Sequence, residues 1–328
     1  MSTRHLLDPE LASLPEVMPA FSFDEGTLKT VRAQVEEHLP PDSQGQVAAS
    51  IRSAPGRDGG PDVPVHVYDP PSADRRRPAL LYFHGGGMVM GTAGMARVTL
   101  APLLQETGAV GISVEYRLAP DTPFPGPQED AYAALEWLVA NADALGVDPA
   151  RIIVMGESAG GGIAASLAIM ARDRGQYALA GQALSMPMLD YRTGSAQSVW
   201  DNPTSGEFVW NRAANQFGWT SLRGSYDLND ARRAWFSPAL ADDLTGLPPA
   251  YMSVGALDLF VDEDMDYARR LAGAGIPVDF TLFSGAPHAF GAIPDTALAK
   301  RSQAELIAGL KRLIARSAPA AATASKAS

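Results

Sequence analysis

The chain contains no cysteine among its 328 residues. No disulfide can brace it, so its stability has to come from a buried apolar core. A cysteine-free chain also fits a reducing compartment. Basic residues are few: 26 Lys and Arg stand against 37 Asp and Glu, a formal net charge of −11. That balance repels nucleic acid and anionic membrane surfaces, and no basic run with interleaved aromatics offsets it. No uninterrupted apolar stretch is long enough to span a bilayer, and the start, Met1 to Asp8, lacks the apolar run of a secretory signal. These absences lead us to expect a soluble cytoplasmic protein, with no nucleic acid partner and no membrane span. Histidine is scarce too. His5, His38, His66, His84 and His288 are the only five, so chemistry that needs an imidazole has few candidates.

What the chain does have is apolar patterning: 46% of its residues are hydrophobic, enough for a large core. Short apolar runs read as strands at 79–83, 110–114, 152–155, 250–254 and 278–283. Stretches between them carry helical spacing, as from Glu129 to Asn141 and from Asp262 to Ala274. Near-continuous apolar strands alternating with helices predict an α/β fold, with a mostly parallel central sheet covered by helices on both faces. The runs 46–51 and 63–68, joined by the turn residues of 56–62, look like antiparallel starting strands. Two regions fit the alternation poorly. Residues 1–45 are helical in flavour and precede the sheet. Residues 190–235 hold Trp200, Trp210, Phe217, Trp219 and Trp235, and only Trp137 lies outside that window. Long insertions in compact domains tend to be lids or binding elements, although these tryptophans could equally form a small core of their own. Trp137, in a predicted helix, reads as packing. The remaining parts, 46–189 and 236–318, would form the sheet domain, and the Ala/Ser/Thr-rich end 319–328 reads as a disordered tail.

The densest chemical signal is Gly156-Glu157-Ser158-Ala159-Gly160. A β-branched segment precedes it and a helical run follows. A serine on so sharp a strand-to-helix turn projects out of the sheet on a strained backbone, and the glycines leave room for the bend. Its hydroxyl is a poor nucleophile until a base takes the proton. His288 sits in a turn-rich loop after the last predicted strand, where it can lean over such a serine. A carboxylate before the histidine would hold the ring and stabilise its protonated form. Asp258, directly after the strand 250–254, is favoured for this. Asp262 is the rival, with helix N-capping as its alternative role. His84-Gly85-Gly86-Gly87 follows the strand ending at Phe83. Glycines let backbone N–H groups converge on a developing oxyanion, so Gly85, Gly86 and Ala159 are the expected donors. No Gly-Lys-Ser/Thr follows the run, which argues against a phosphate loop. His84 reads as a structural residue that orients this loop.

His84-Gly85-Gly86-Gly87, Tyr116-Arg117-Leu118-Ala119-Pro120, Gly156-Glu157-Ser158-Ala159-Gly160, Asp258 and His288 occur in an order that resembles the bacterial hormone-sensitive-lipase-like esterases, an α/β-hydrolase family. The likeness spans residues of about 45–315. It implies an α/β-hydrolase fold with a helical cap built from the N-terminal segment and the 190–235 insertion. It further implies a serine carboxylesterase for short- to medium-chain acyl esters, needing no cofactor and no metal. Its partner would be a small-molecule ester, and a homodimer is implied because members often pair. Glu157 departs from the Asp or Thr usual in the family, and a carboxylate satisfied by nearby donors is the preferred reading of it. Met88 stands where a bulky aromatic is common. Met88, Met90, Met186 and Met188 suggest a compliant pocket or ordinary core. The same three side chains could also serve an amidase, a lactonase or a deacetylase. A non-catalytic ligand-binding protein on this fold is a further reading, against which the complete set Ser158, Asp258 and His288 speaks.

Overall fold

Eight runs pair into one sheet: β1 (Ala49–Ala54), β2 (Val63–Tyr68), β3 (Arg77–Phe83), β4 (Val110–Val114), β5 (Val147–Glu157), β6 (Gly181–Ser185), β7 (Ala250–Gly255) and β8 (Val278–Phe283). This is a computed structural model, and it describes residues 2–18, 20–23, 25–37 and 47–317. Gln46 of the expected first strand, His38 and the expected tail 319–328 lie outside the described residues. The strand order is β1-β2-β4-β3-β5-β6-β7-β8. β2 runs antiparallel to both β1 and β4, and every other neighbouring pair is parallel. This is the mostly parallel sheet that the alternation predicts, in the α/β-hydrolase arrangement that the resemblance implies.

Parallel strands joined by helices are buried on both faces, so their sequences need no polar alternation. Every residue of β3, β4 and β7 is buried. Successive side chains still divide between two cores. Leu80 and Tyr82 of β3 pack with Leu103, Leu104, Leu310 and Leu313, under the helices Ala96–Thr107 and Ala297–Arg316. Leu81 and Phe83 face the opposite core, with Leu135, Ile163 and Leu271 from the helices Gly126–Ala140, Ala159–Arg174 and Val261–Gly273.

β6 has no counterpart among the runs read from sequence. Its residues Gly181-Gln182-Ala183-Leu184-Ser185 include no β-branched or aromatic side chain. It forms because β5 and β7 supply ladders on both sides, and the Gln182 side chain donates to the Pro248 carbonyl at 3.0 Å.

Chain order reverses at β3. The chain leaves β3 for β4 on one side and returns past it to β5 on the other. Such switch points leave a crevice at the carboxyl ends of the strands. Here β3 ends at Phe83, level with Gly156 of β5, so the glycine run and the serine turn emerge side by side. The N-terminal segment and the 190–235 region meet near the same rim. Phe21 N–H donates to Val209 O at 2.9 Å, and Asn211 Nδ2 donates back to Phe21 O at 3.0 Å. Phe23 stacks on Phe217 and on Phe21.

Leu81 is fully buried at the centre of the sheet. Leu81→Ala should lower unfolding stability by about 2–5 kcal/mol, read from the midpoint of urea denaturation at unchanged slope.

Candidate active site

Ser158 follows β5 and sits at φ 54°, ψ −121°, immediately before the helix Ala159–Arg174. A non-glycine residue there costs roughly 1–3 kcal/mol, which the surroundings must over-determine. They do so with three backbone bonds. Ser158 N–H donates to Ser185 O at 2.9 Å, while Ser158 O accepts from Gly162 at 3.0 Å and Met188 at 2.9 Å. The turn also presses against the end of β3. A β-carbon at Gly160 would lie 2.0 Å from the Phe83 carbonyl oxygen, so no larger residue fits.

His288 comes from the loop after β8, and Asp258 from the turn after β7. Two bonds tie these loops together: Ala256 N–H to Phe283 O at 2.8 Å and Leu257 N–H to Ala286 O at 2.9 Å. The result is a continuous line of polar atoms. His288 Nε2 lies 3.0 Å from Ser158 Oγ, and His288 Nδ1 lies 2.7 Å from Asp258 Oδ2. The second oxygen of Asp258 accepts the Phe260 N–H at 3.0 Å. The Phe260 ring stands edge-on to the imidazole, with centroids 5.2 Å apart. Ser158 is 7% exposed, His288 4% and Asp258 not at all. A hydroxyl, an imidazole and a carboxylate so arranged can pass a proton from the first to the second while the third fixes the ring.

Asp262 is not part of this line. It lies in the first turn of the helix Val261–Gly273, whose N-cap position is Phe260, and its Oδ2 accepts from Asn202 Nδ2 at 3.0 Å. The capping role considered for Asp262 is not filled by any side chain: the helix has no side-chain cap bond, and Asp258 reaches only the N–H of Phe260, the N-cap residue itself.

The glycine run lies over the serine: a β-carbon at Gly85 would be 3.5 Å from Ser158 Cβ. Ala159 opens its helix, so its N–H is one of those a helix leaves without an internal partner. His84 is fully buried. Its Nδ1 lies 2.8 Å from Gly85 O, and its ring stacks on Tyr116 at 4.2 Å. Tyr116 Oη donates to His84 O at 2.8 Å. Burial pushes the His84 pKa down to about 4, so the ring stays neutral near pH 7 and holds the loop.

Known proteins resemble this chain over most of its length. A family model described as the α/β-hydrolase fold matches residues 80–292. A carboxylesterase of Mycobacterium tuberculosis, NlhH, is 33% identical over 84% of this chain and 86% of its own. An ethyl acetate hydrolase of Pseudomonas putida is 35% identical over 70% of this chain and 72% of its own. Among solved structures, a bacterial heroin esterase superposes with a TM-score of 0.88 at 37% identity, covering 95% of this chain and 99% of the other. The chain belongs to the hormone-sensitive-lipase-like esterases of the α/β-hydrolase fold.

In this esterase Glu157 turns away from Ser158, toward the face covered by Ala96–Thr107. Its Oε1 accepts from Tyr82 Oη at 3.2 Å, and the Thr99 hydroxyl also bonds it. Burial raises its pKa, while those two hydroxyls and nearby His288 act the other way. Of the methionines among the described residues, only Met188 bonds the serine directly. Met188 N–H bonds Ser158 O, Met88 O accepts from Ala119 N–H at 2.9 Å, and Met186 Sδ accepts from Ala289 N–H at 3.4 Å.

Of the tryptophans, Trp210 stands close to the histidine, with ring centroids 6.3 Å apart. A β-carbon at Gly87 would meet its Cη2 at 2.2 Å. Its indole N–H donates to buried Asn215, which in turn donates to Thr193 O. Trp219 and Trp235 serve packing: the first meets Phe236, and the second donates to Asp173 at 2.8 Å. Sequence reading missed Glu263, whose buried Oε1 accepts from the backbone of Leu189 at 2.7 Å and Asp190 at 3.2 Å and so fixes the loop beyond Met188. An acidic residue five positions past Asp258 carries no signal of that role by itself.

Gly160→Ala should push the serine turn off the Phe83 carbonyl. Since a displacement of about 1 Å can cost 10²-fold, kcat/KM on a short-chain ester should fall by about that factor. Steady-state kinetics per folded molecule, with circular dichroism as the fold control, would check this.

Proposed function

We propose that this esterase hydrolyses short- to medium-chain acyl esters through an acyl-enzyme on Ser158. The observation that carries the reading is the line from Ser158 Oγ through His288 to Asp258, with contacts of 3.0 and 2.7 Å. Ser158 Oγ attacks the ester carbonyl carbon as His288 Nε2 takes its proton. The resulting oxyanion accepts from the N–H groups of Gly85, Gly86 and Ala159. The C–O bond to the alcohol breaks, and the alcohol leaves with the proton from His288. Water then attacks the acyl-enzyme by the same route, giving the carboxylic acid and free Ser158. Asp258 holds Nδ1 and stabilises the imidazolium at each stage. No cofactor enters any of these steps.

The cap of this reading is the N-terminal segment together with 190–235. The aromatic contacts of Phe21 and Phe23 with Trp210 support it. A cytoplasmic setting is supported by the lack of cysteine. Among the described residues no helix is long and apolar enough to cross a membrane. A homodimer is proposed on the family resemblance alone.

Ser158→Ala should remove turnover on the order of 10⁶-fold, and a serine-directed organophosphate should label the wild type at Ser158 in mass spectrometry. A variant retaining a tenth of the wild-type rate would end the proposal. Asp258→Asn should lower kcat on the order of 10⁴-fold, whereas Asp262→Asn, which loses only a contact to Asn202, should stay within a few-fold. Equal losses would unseat Asp258.

Trp210 fills the space above Gly87 beside His288, so it should cap the length of the acyl group. Trp210→Ala should raise kcat/KM for octanoyl relative to acetyl esters by roughly fiftyfold, as about three buried methylenes' worth of space opens at about 0.8 kcal/mol each. An unchanged acyl-length profile would count against that role.

A further inference from the structure

Behind the His288 loop a cleft of about 400 Å³ opens between the helices Ala96–Thr107 and Ala297–Arg316. It is large enough for a small organic ligand. Its lining is mixed: Val98 and Phe290 are apolar, while Ser185, Ser253 and Gln303 are polar. Glu157 also lines it.

Three observations mark this cleft as more than a packing gap. First, Glu157 has hydroxyls for partners and no cation. Among the described residues no Lys or Arg forms an ion pair with it, and its bonds come from Tyr82 and Thr99. Lys300, on the rim, is committed elsewhere, with Nζ 3.0 Å from Asp295 O and 3.6 Å from its carboxylate. Burial works against the charged form of Glu157, and a bound cation beside it would favour that form. Second, the cleft abuts the catalytic turn. Glu157 precedes Ser158 in the chain, and the carbonyl of Ser185 accepts the Ser158 N–H at 2.9 Å. Third, the partition between cleft and histidine is a strained pair. Met186 and Ala289 both have left-handed backbones, at φ 40° and 55°, and touch through the Ala289 N–H to the Met186 sulfur. A thioether is a flexible partition. Trp210 and the glycine run stand against Ser158 and His288 from elsewhere, and neither lines this cleft.

We propose that the cleft receives the alcohol half of the ester and favours alcohols that carry an organic cation, with Glu157 as the charge that selects them. The inference rests on the hydrolase reading above and adds a substrate class to it. No new bond chemistry is involved: the alcohol still leaves with the proton from His288 Nε2, and the ammonium keeps its charge throughout.

A matched pair of acetates tests it. The alcohol of 2-(dimethylammonio)ethyl acetate and that of 3-methylbutyl acetate have nearly the same shape and differ in charge. The ratio of their kcat/KM values, cationic over neutral, is independent of the fraction of active enzyme. Glu157→Gln should lower that ratio by roughly tenfold or more, the scale of a hydrogen-bonded charge contact. Val98→Lys, which sets a competing cation at the rim where Val98 is 54% exposed, should lower it as well. Tetramethylammonium should inhibit wild-type hydrolysis of the neutral ester competitively, and inhibit the Val98→Lys variant more weakly. Ratios within twofold of wild type in the variants would overturn the inference. So would a lack of competition by tetramethylammonium, even if Glu157→Gln failed to fold. Either result leaves Ser158-dependent hydrolysis of the neutral ester intact. Failure of that hydrolysis is the separate outcome that would sink the hydrolase reading itself.

Discussion

The contact between the Asp258 carboxylate and His288 Nδ1, 2.7 Å long and shut off from solvent, is the constraint that organises the site. Burying a charge without partners costs several kcal/mol, so a carboxylate in this position has to be fully bonded. Asp258 meets that demand with one imidazole N–H and one backbone N–H, from Phe260. Neither partner could be there without the sheet. β7 and β8 are parallel, with Gly255 opposite Phe283, so the two following loops leave at the same height and bond each other. The register of one edge pair thus decides whether a histidine 30 residues downstream of the carboxylate can face it. Once the ring is held, only its Nε2 is left to reach Ser158.

The opposite half of the site depends on backbone meeting backbone. β3 and β5 are neighbours, and Phe83 is level with Gly156. The loop that carries the glycines and the turn that carries the serine must therefore cross within van der Waals contact. Gly160 permits the crossing because any side chain there would overlap the Phe83 carbonyl. Tyr116, beyond β4, then pins the same loop from outside, by stacking on His84 and bonding its carbonyl. Arg32 of the N-terminal helix Glu25–Glu37 adds a further tie. It donates to Val89 O and Ala119 O, both at 2.7 Å. Rigid supports of this kind let backbone donors be aimed in advance of the charge they receive.

Much of this was legible in the sequence, for physical reasons that differ from element to element. β3, β4 and β7 were readable because a strand buried on both faces has to be a short apolar run, and β8, a partly exposed edge strand, because its apolar residues alternate with Asp279 and Thr281. β6 was not, because its stability comes from its two neighbours rather than from its own side chains. The nucleophile turn was readable because few residue patterns tolerate that bend, and the histidine because there were only five to choose from. The preference for Asp258 over Asp262 came from position at the strand end, and it is Asp258 that lies against His288 while Asp262 meets Asn202. The roles around Asp258 were not readable, since the helix starts earlier than spacing suggests and Asp258 bonds the residue just before it, Phe260. The tryptophans show the limit most clearly. Composition could say that 190–235 was aromatic, but not that Trp210 reaches His288 while Trp235 faces Asp173. That division depends on how the N-terminal phenylalanines stack on the insertion.

The two sides of Ser158 are built from materials of different stiffness. On one side Trp210 is held by an indole hydrogen bond, by Phe21 and Phe23, and by direct contact with Gly87, so it has little room to move. On the other side stand Met186 and the strained Ala289, joined by a weak N–H to sulfur bond. With Ser158 and His288 almost wholly covered, a substrate has to displace something in order to bind. Displacing the indole would break a chain of bonds that ends at the Thr193 carbonyl, whereas moving a thioether breaks one weak contact. The cheaper opening lies on the side of Glu157, and a carboxylate at that opening makes the charge of the entering group matter as much as its size.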